Sequence, residues 1–197
     1  MKKILLLICI IGLFTPATLH AQDRANVFRH GKLDNGLTYY VRHTSMQPGK
    51  ADFYLVQNVG ALMEEDNQNG LAHFLEYMAF NGSESFKEGI PNFLKRRGVT
   101  RFNAQTGQDE TVYYMTAIPT NDTKLLDSCL LVMKDWSGFL LLKPDEIDKE
   151  RGVIREERRM RRNLGARLKE QSDPLVFNNS KYATRNVIGS EKIINNF

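Results

Sequence analysis

Apolar and polar residues alternate roughly over 27–33 and again over 37–43, and the two runs flank Asp34-Asn35-Gly36. Alternation sends successive side chains to opposite faces of a strand, and Asn-Gly supplies the backbone freedom that a tight reversal needs. A β-hairpin is predicted there. Residues 51–59 (ADFYLVQNV) read as a third strand, closed by Gly60 and followed by an acidic, amide-rich loop over 64–69. At Gly70 the period changes. Leu71, Phe74, Leu75 and Met78 recur at intervals of three and four, which puts them on one face of a helix ending near Asn81-Gly82. A second short helix is expected over 90–97 with its stop at Gly98, and residues 112–118 (VYYMTAI) form a strand closed by Pro119.

Asn121 or Asp122 can cap a helix that runs through Leu142, with Leu125, Leu126, Cys129, Leu130, Val132 and Met133 as its buried stripe. Pro144 opens a long charged helix that continues to about Gln171, and the chain from Leu175 reads as irregular. Ile193, Ile194 and Phe197 look like the first turn or two of an element that needs a partner, so an incomplete domain is expected. Strands followed by helices, with no repeat or linker between them, predict an α+β domain.

The first residues follow another pattern. Met1-Lys2-Lys3 leads into an apolar run over 4–14 and then into small and polar residues ending at Ala21-Gln22. That layout is a secretory signal peptide over 1–21. Its apolar core is too short to span a bilayer and no later stretch is long and apolar enough, so an exported chain is expected, secreted or periplasmic, with no membrane span after cleavage. Cys9 follows Ile8, not a small residue, which argues against a lipid-anchored cysteine. Cleavage after Ala21 leaves Cys129 alone, so no internal disulfide can form. Residues 22–197 suffice for one ordinary domain. The formal charge of +4 falls to +2 without Lys2 and Lys3, too balanced to suggest nucleic acid. The arginines of 151–167 alternate with Glu156, Glu157, Ile154, Met160 and Leu164, the pattern of an amphipathic helix with a solvated face.

Chemistry concentrates in the helix that begins after Gly70. Residues three and four apart share a helical face, so His73, Glu76 and Tyr77 project together. A histidine pair at i and i+4 with a glutamate between gives a metal two nitrogen ligands and gives its bound water a base; in the order H-x-x-E-H this is the inverted zinc-protease motif. Here the run is HFLEY. Alone, a His-x-x-Glu on an amphipathic helix is weak evidence of a metal site.

Its surroundings are more specific. GLAHFLEYMAFNGS, over 70–83, resembles the active-site helix of the pitrilysin/insulinase family of zinc metallopeptidases. Asn103-Ala104-x-Thr106 with Glu110-Thr111-Val112-Tyr113 resembles the family's N-A-x-T loop and following strand, and Glu150 to Glu157 resembles its distal glutamate helix. LDNGLTYYV resembles its first hairpin, and Asn186-Val187-Ile188-Gly189 the stretch after the long helix, so the likeness extends over 27–197. The resemblance implies a mixed or antiparallel sheet with helices packed on one face, the α/β roll of the mitochondrial processing peptidase, in a zinc-dependent metalloendopeptidase. It makes His73 the first zinc ligand, Glu76 the general base, Glu157 the distal ligand and Glu150 a supporting acid. Glu156 is the alternative to Glu157 if the register is shifted by one. Asn103 and Ala104 would lie in the loop lining a cleft that takes an extended peptide, where an edge strand can pair with it.

Tyr77 stands where the family has its second histidine ligand. As a phenolate it could bind zinc itself, but ionising a phenol of pKa about 10 at pH 7 costs about 4 kcal/mol. Alternatively the zinc site is lost or weakened by roughly a hundred- to thousandfold, leaving a homologue that binds peptides or serves as a subunit or scaffold. The third reading is a single change in an otherwise intact site, since His73, Glu76 and Glu157 are all retained. The family also closes a second half over its substrate, so missing C-terminal homologous domains or a partner subunit are expected.

Overall fold

The computed structural model describes residues 28–197. The expected signal peptide over 1–21 and Val27 lie outside the described residues. The described residues divide into two units, 28–48 and 49–197. Within the first, β1 (Phe28–Lys32) pairs antiparallel with β2 (Thr38–Arg42), with Lys32 opposite Thr38. Gly36 takes a φ of 89° in the turn, and Asn35 Oδ1 accepts the Leu37 amide at 3.1 Å, which is the local chemistry that Asp-Asn-Gly predicts.

The second unit holds a three-stranded antiparallel sheet in the order β3 (Lys50–Gln57), β5 (Thr111–Pro119), β4 (Phe102–Thr106). One face of it carries Leu55, Ala104, Tyr113, Met115 and Ile118. Against these pack Ile90 and Leu94 of α2 (Ile90–Arg96) and Leu125, Cys129, Val132 and Trp136 of α3 (Thr123–Trp136). Burying side chains of this size contributes about 1.5–3 kcal/mol each, so this layer is the main source of stability. The opposite face of the sheet leaves Tyr54 and Val56 exposed, with Tyr54 stacked on Tyr114 at 5.9 Å. Helices therefore cover one face only, as expected for this α+β arrangement, and the sheet is antiparallel throughout.

A smaller cluster joins α1 (Leu71–Met78) to α4 (Pro144–Arg161) through Phe74, Met78 and Ile154, with Ile188 and Ile194 of the C-terminal segment. Ile194 lies in α6 (Glu191–Asn196), the element anticipated from Ile193, Ile194 and Phe197.

Four expectations need correction. The segment expected as a loop around Asn103 and Ala104 is the strand β4, because Ala104 pairs with Tyr113 and is buried in the core. Helix α3 ends at Trp136, not Leu142: Ser137-Gly138 closes it, and the following residues pair with another loop through Leu141 N donating to Gly82 O at 3.0 Å. The long charged helix breaks after Arg161. Asn163 accepts the Ala166 amide at 3.0 Å and caps a separate helix, α5 (Leu164–Val176), which carries the chain past the expected start of irregular structure at Leu175. Among the described residues no helix is long and apolar enough to cross a membrane.

Candidate active site

Helix α1 begins at Gly70, whose φ of 103° is open to glycine and whose lack of a side chain leaves the helix without its own cap. Glu64 supplies one from upstream. Its Oε2 accepts the Gly70 amide and its Oε1 the Ala72 amide, each at 2.8 Å. Burial raises the Glu64 carboxyl pKa, opposed by these amides and by the charge of Arg185. His73, Glu76 and Tyr77 then follow within two turns, beside the buried Phe74 and Met78; His73 and Glu76 are themselves buried and Tyr77 packs against the Phe74 and Met78 cluster.

Helix α4 presents its glutamates through the same periodicity. Ile154 is buried against α1, and Glu157, three residues on, shares its face. Glu156 does not. It points away and forms an exposed pair with Arg159, so the shifted-register alternative has no place near His73. Glu150 lies on the inner side, where its Oε1 accepts Asn81 Nδ2 at 3.0 Å. It braces the end of the site helix and makes no contact with His73.

Around Glu157 three side chains converge. Its Oε2 lies 3.4 Å from His73 Nε2 and accepts the Tyr77 hydroxyl at 2.8 Å, while its Oε1 pairs with Arg161 at 2.6 Å. The rings of His73 and Tyr77 meet edge-on at 5.1 Å. Glu76 sits beside this group and accepts the Thr106 hydroxyl at 2.5 Å, which ties α1 to the end of β4. Thr106, Arg161 and Glu64 are the site residues that motif reading does not single out. Thr106 is the last letter of the quoted N-A-x-T run, and only the folded register shows that its hydroxyl meets Glu76.

The electrostatics follow from burial. Desolvation lowers the His73 pKa, with the attraction of Glu157 opposing and the charge of Arg161 reinforcing the shift. Burial raises Glu76, with Thr106 opposing and the Glu157 charge reinforcing the shift. Tyr77 lies well above the ordinary phenol range, first through burial and then through its bond to the Glu157 carboxylate.

Zinc is the ion that the motif implies, and the donor set decides whether these residues fit it. Two ligands on a tetrahedral zinc, each about 2.1 Å from it, stand about 3.4 Å apart. His73 Nε2 and Glu157 Oε2 have that spacing. The third position holds a phenol that donates a proton where a ligand must offer a lone pair, and its proton is directed at the very carboxylate oxygen facing His73. His73 Nδ1 is buried and finds no hydrogen-bond partner among the described residues, so the outer acceptor that orients a metal-binding imidazole is missing. Among the described residues no three His, Cys, Asp or Glu side chains come together as a metal-holding group. The residues present do not fit a three-ligand zinc site.

Asn103 and Ala104 lie on β4, which borders the site through Thr106 and pairs only with β5 among the described residues. Ala104 faces the core. Asn103, opposite Tyr114, has its side chain on the other face of the sheet from Thr106 and Glu76, so only the backbone of its strand remains available beside the site.

Comparisons with known proteins give the family and the fold. Residues 35–173 match the family model described as Insulinase (Peptidase family M16). The chain is 36% identical over 169 residues to a protein from Arabidopsis thaliana described as a zinc protease PQQL-like, covering 84% of this chain and 18% of that protein. It is 35% identical over 170 residues to a probable zinc protease PqqL from Haemophilus influenzae, with the same two coverages of 84% and 18%. Among solved structures, the periplasmic protease PqqL from Escherichia coli superposes with a TM-score of 0.80 at 30% identity, covering 87% of this chain and 19% of that one. A ferredoxin protease, FusC, solved in complex with Arabidopsis ferredoxin, superposes with a TM-score of 0.79 at 31% identity over 86% of this chain and 19% of that one. The chain thus spans less than a fifth of the length of these relatives. By the extent of the family match and by the identity to its relatives, this chain belongs to the insulinase family of peptidases, family M16.

Proposed function

We propose that this chain is a peptidase-type domain that engages extended peptides but is impaired in zinc-dependent hydrolysis. The observation that carries the reading is the Tyr77 hydroxyl donating to Glu157 Oε2 at 2.8 Å. One ligand is replaced by a donor, and a second ligand is engaged by it. His73, Glu76 and Glu157 are retained beside it, so in ligand count Tyr77 is what separates this site from a three-ligand one. Among the described residues β4 pairs on one edge only, and a substrate backbone pairing at its other edge would pass beside Glu76, with recognition resting on main-chain hydrogen bonds.

Several further elements belong to the same proposal. The pattern of residues 1–21 and the likeness to the periplasmic PqqL support export. The coverage of 18% of the Arabidopsis relative supports further homologous domains or a partner subunit completing the peptide-gripping surface. The ferredoxin in the FusC complex supports protein-derived substrates as the class.

The test uses the full chain with an unstructured fluorescent peptide, read by anisotropy for binding and by quenched-pair release for cleavage. Saturable binding with no chelator-sensitive cleavage is expected. Cleavage abolished by a chelator and by Glu76→Gln would overturn the impaired reading, and absence of any binding would overturn peptide engagement.

A further inference from the structure

The spacing between His73 and Glu157 depends on two helices far apart in the chain, and a third segment ties both of them. Residues 181–190 cross the loop that leads into α1. Arg185 is 8% exposed, and its Nε and Nη2 donate to the Glu64 carbonyl at 3.3 and 3.0 Å, while Nη2 also reaches Asp66 Oδ1 at 2.8 Å. Lys181 Nζ adds bonds to the carbonyls of Leu62 and Glu64 at 3.0 and 3.1 Å. The backbone of Glu64 is thereby fixed, and its carboxylate is the group that caps Gly70 and Ala72. His73 is the next residue.

The far end of the segment holds the other helix. A Cβ added at Gly70 would lie 2.5 Å from Gly189 Cα, and both residues have positive φ, 103° and 79°. Two backbones can meet this closely only where neither residue has a side chain. Arg158, the neighbour of Glu157 on α4, donates from Nη1 to the Gly189 carbonyl. Ser190 N donates to Asn69 O at 3.3 Å and closes the contact from the other side. The path from α4 to α1 therefore runs Arg158, Gly189, Gly70, and Arg185 holds its loop end through Glu64.

We propose that residues 181–190 form a strap that sets the separation of α1 and α4, with Arg185 and Arg158 as positioning residues for the Tyr77, His73 and Glu157 group. Neither arginine touches the reacting groups. This proposal rests on the site described under the proposed function, but its first readout does not depend on Tyr77.

Hydrogen exchange followed by NMR on the full chain tests it, reading the amides of Gly70 and Ala72, the Tyr77 hydroxyl, and the Trp136 indole N–H as a control for the core. Arg185→Ala is expected to speed exchange at Gly70 and Ala72 by about tenfold or more and to weaken Tyr77 protection, with Trp136 changed by less than about twofold. Arg185→Lys, which can still donate to the Glu64 carbonyl, recovers part of the protection. Arg158→Gln loosens the Tyr77 hydroxyl while sparing the two amides. The strap is overturned if Gly70 and Ala72 in Arg185→Ala and Tyr77 in Arg158→Gln all stay within about twofold of the unsubstituted chain. Should Arg185→Ala lose Trp136 protection as well, Arg158→Gln decides by the Tyr77 limit. An unsubstituted chain without a protected Tyr77 hydroxyl contradicts the proposed function instead, and the Gly70 and Ala72 amides then decide the strap alone.

Discussion

The carboxyl groups of Asp135 and Glu157 have surroundings that differ in kind. Asp135 is 0% exposed at the end of α3 and accepts Ser83 Oγ at 2.8 Å, Ser85 N at 2.7 Å and Ser85 Oγ at 3.2 Å. Those partners sit in one loop, and the cluster pins that loop to the helix beside the Trp136 core. Glu157 instead gathers His73, Tyr77 and Arg161 from two helix faces, at the edge of the molecule. The first cluster cannot change without leaving buried donors unpaired, which costs about 1–3 kcal/mol for each. The second can exchange one member for another of different chemistry, because the apolar contacts of Phe74, Met78 and Ile154 keep α1 and α4 together regardless. A site of that type can change its function while the fold persists, and under the proposed function Tyr77 is such a change.

The contrast can be broken experimentally, beginning where the effect is largest. Asp135→Ala strands Ser83 and Ser85 and is expected to lower unfolding stability by about 3 kcal/mol in denaturant titration. A loss indistinguishable from that of a surface substitution would remove the distinction. Tyr77→Phe deletes one hydrogen bond to a carboxylate and should cost about 1–2 kcal/mol, with the fold intact by circular dichroism.

The Glu64 cap gives a pH signature. Its folded pKa is raised by burial, so its contribution to stability is present below the unfolded carboxyl value of about 4.3 and is lost as pH rises through the folded value. The stability of the unsubstituted chain relative to Glu64→Gln should therefore decline with rising pH across that window and level off above it. A difference that grows with pH would show the sign to be wrong. Smallest of all, Glu156→Gln touches only the exposed pair with Arg159 and should leave the melting temperature and the Tyr77 environment unchanged, whereas Glu157→Gln disturbs the latter.

Much of this was legible in the pattern of residues. The stripe Leu71, Phe74, Leu75, Met78 locates α1, and Asn35-Gly36 locates the hairpin turn, because both depend on local geometry alone. The choice of Glu157 over Glu156 is also local. Ile147 and Ile154, seven apart, mark the inner face of α4, and Glu157 belongs to it. What stayed hidden was set by distant partners. Strand β4 is short and polar, and only pairing with β5 makes it a strand. Leu140 to Leu142 continue a helical pattern but are captured by the loop at Gly82 and Ser83. Thr106 and Arg185 meet their partners 30 and 121 residues away, a separation that no periodicity encodes.

In the proposed function Tyr77 leaves this site one metal ligand short. Zinc content measured by mass spectrometry after dialysis at low free zinc tests it directly, on the full chain and on Tyr77→His. Far less than one zinc per unsubstituted chain and about one per Tyr77→His chain are expected, a gain in affinity of roughly a hundredfold or more. One tightly held zinc in the unsubstituted chain would contradict it.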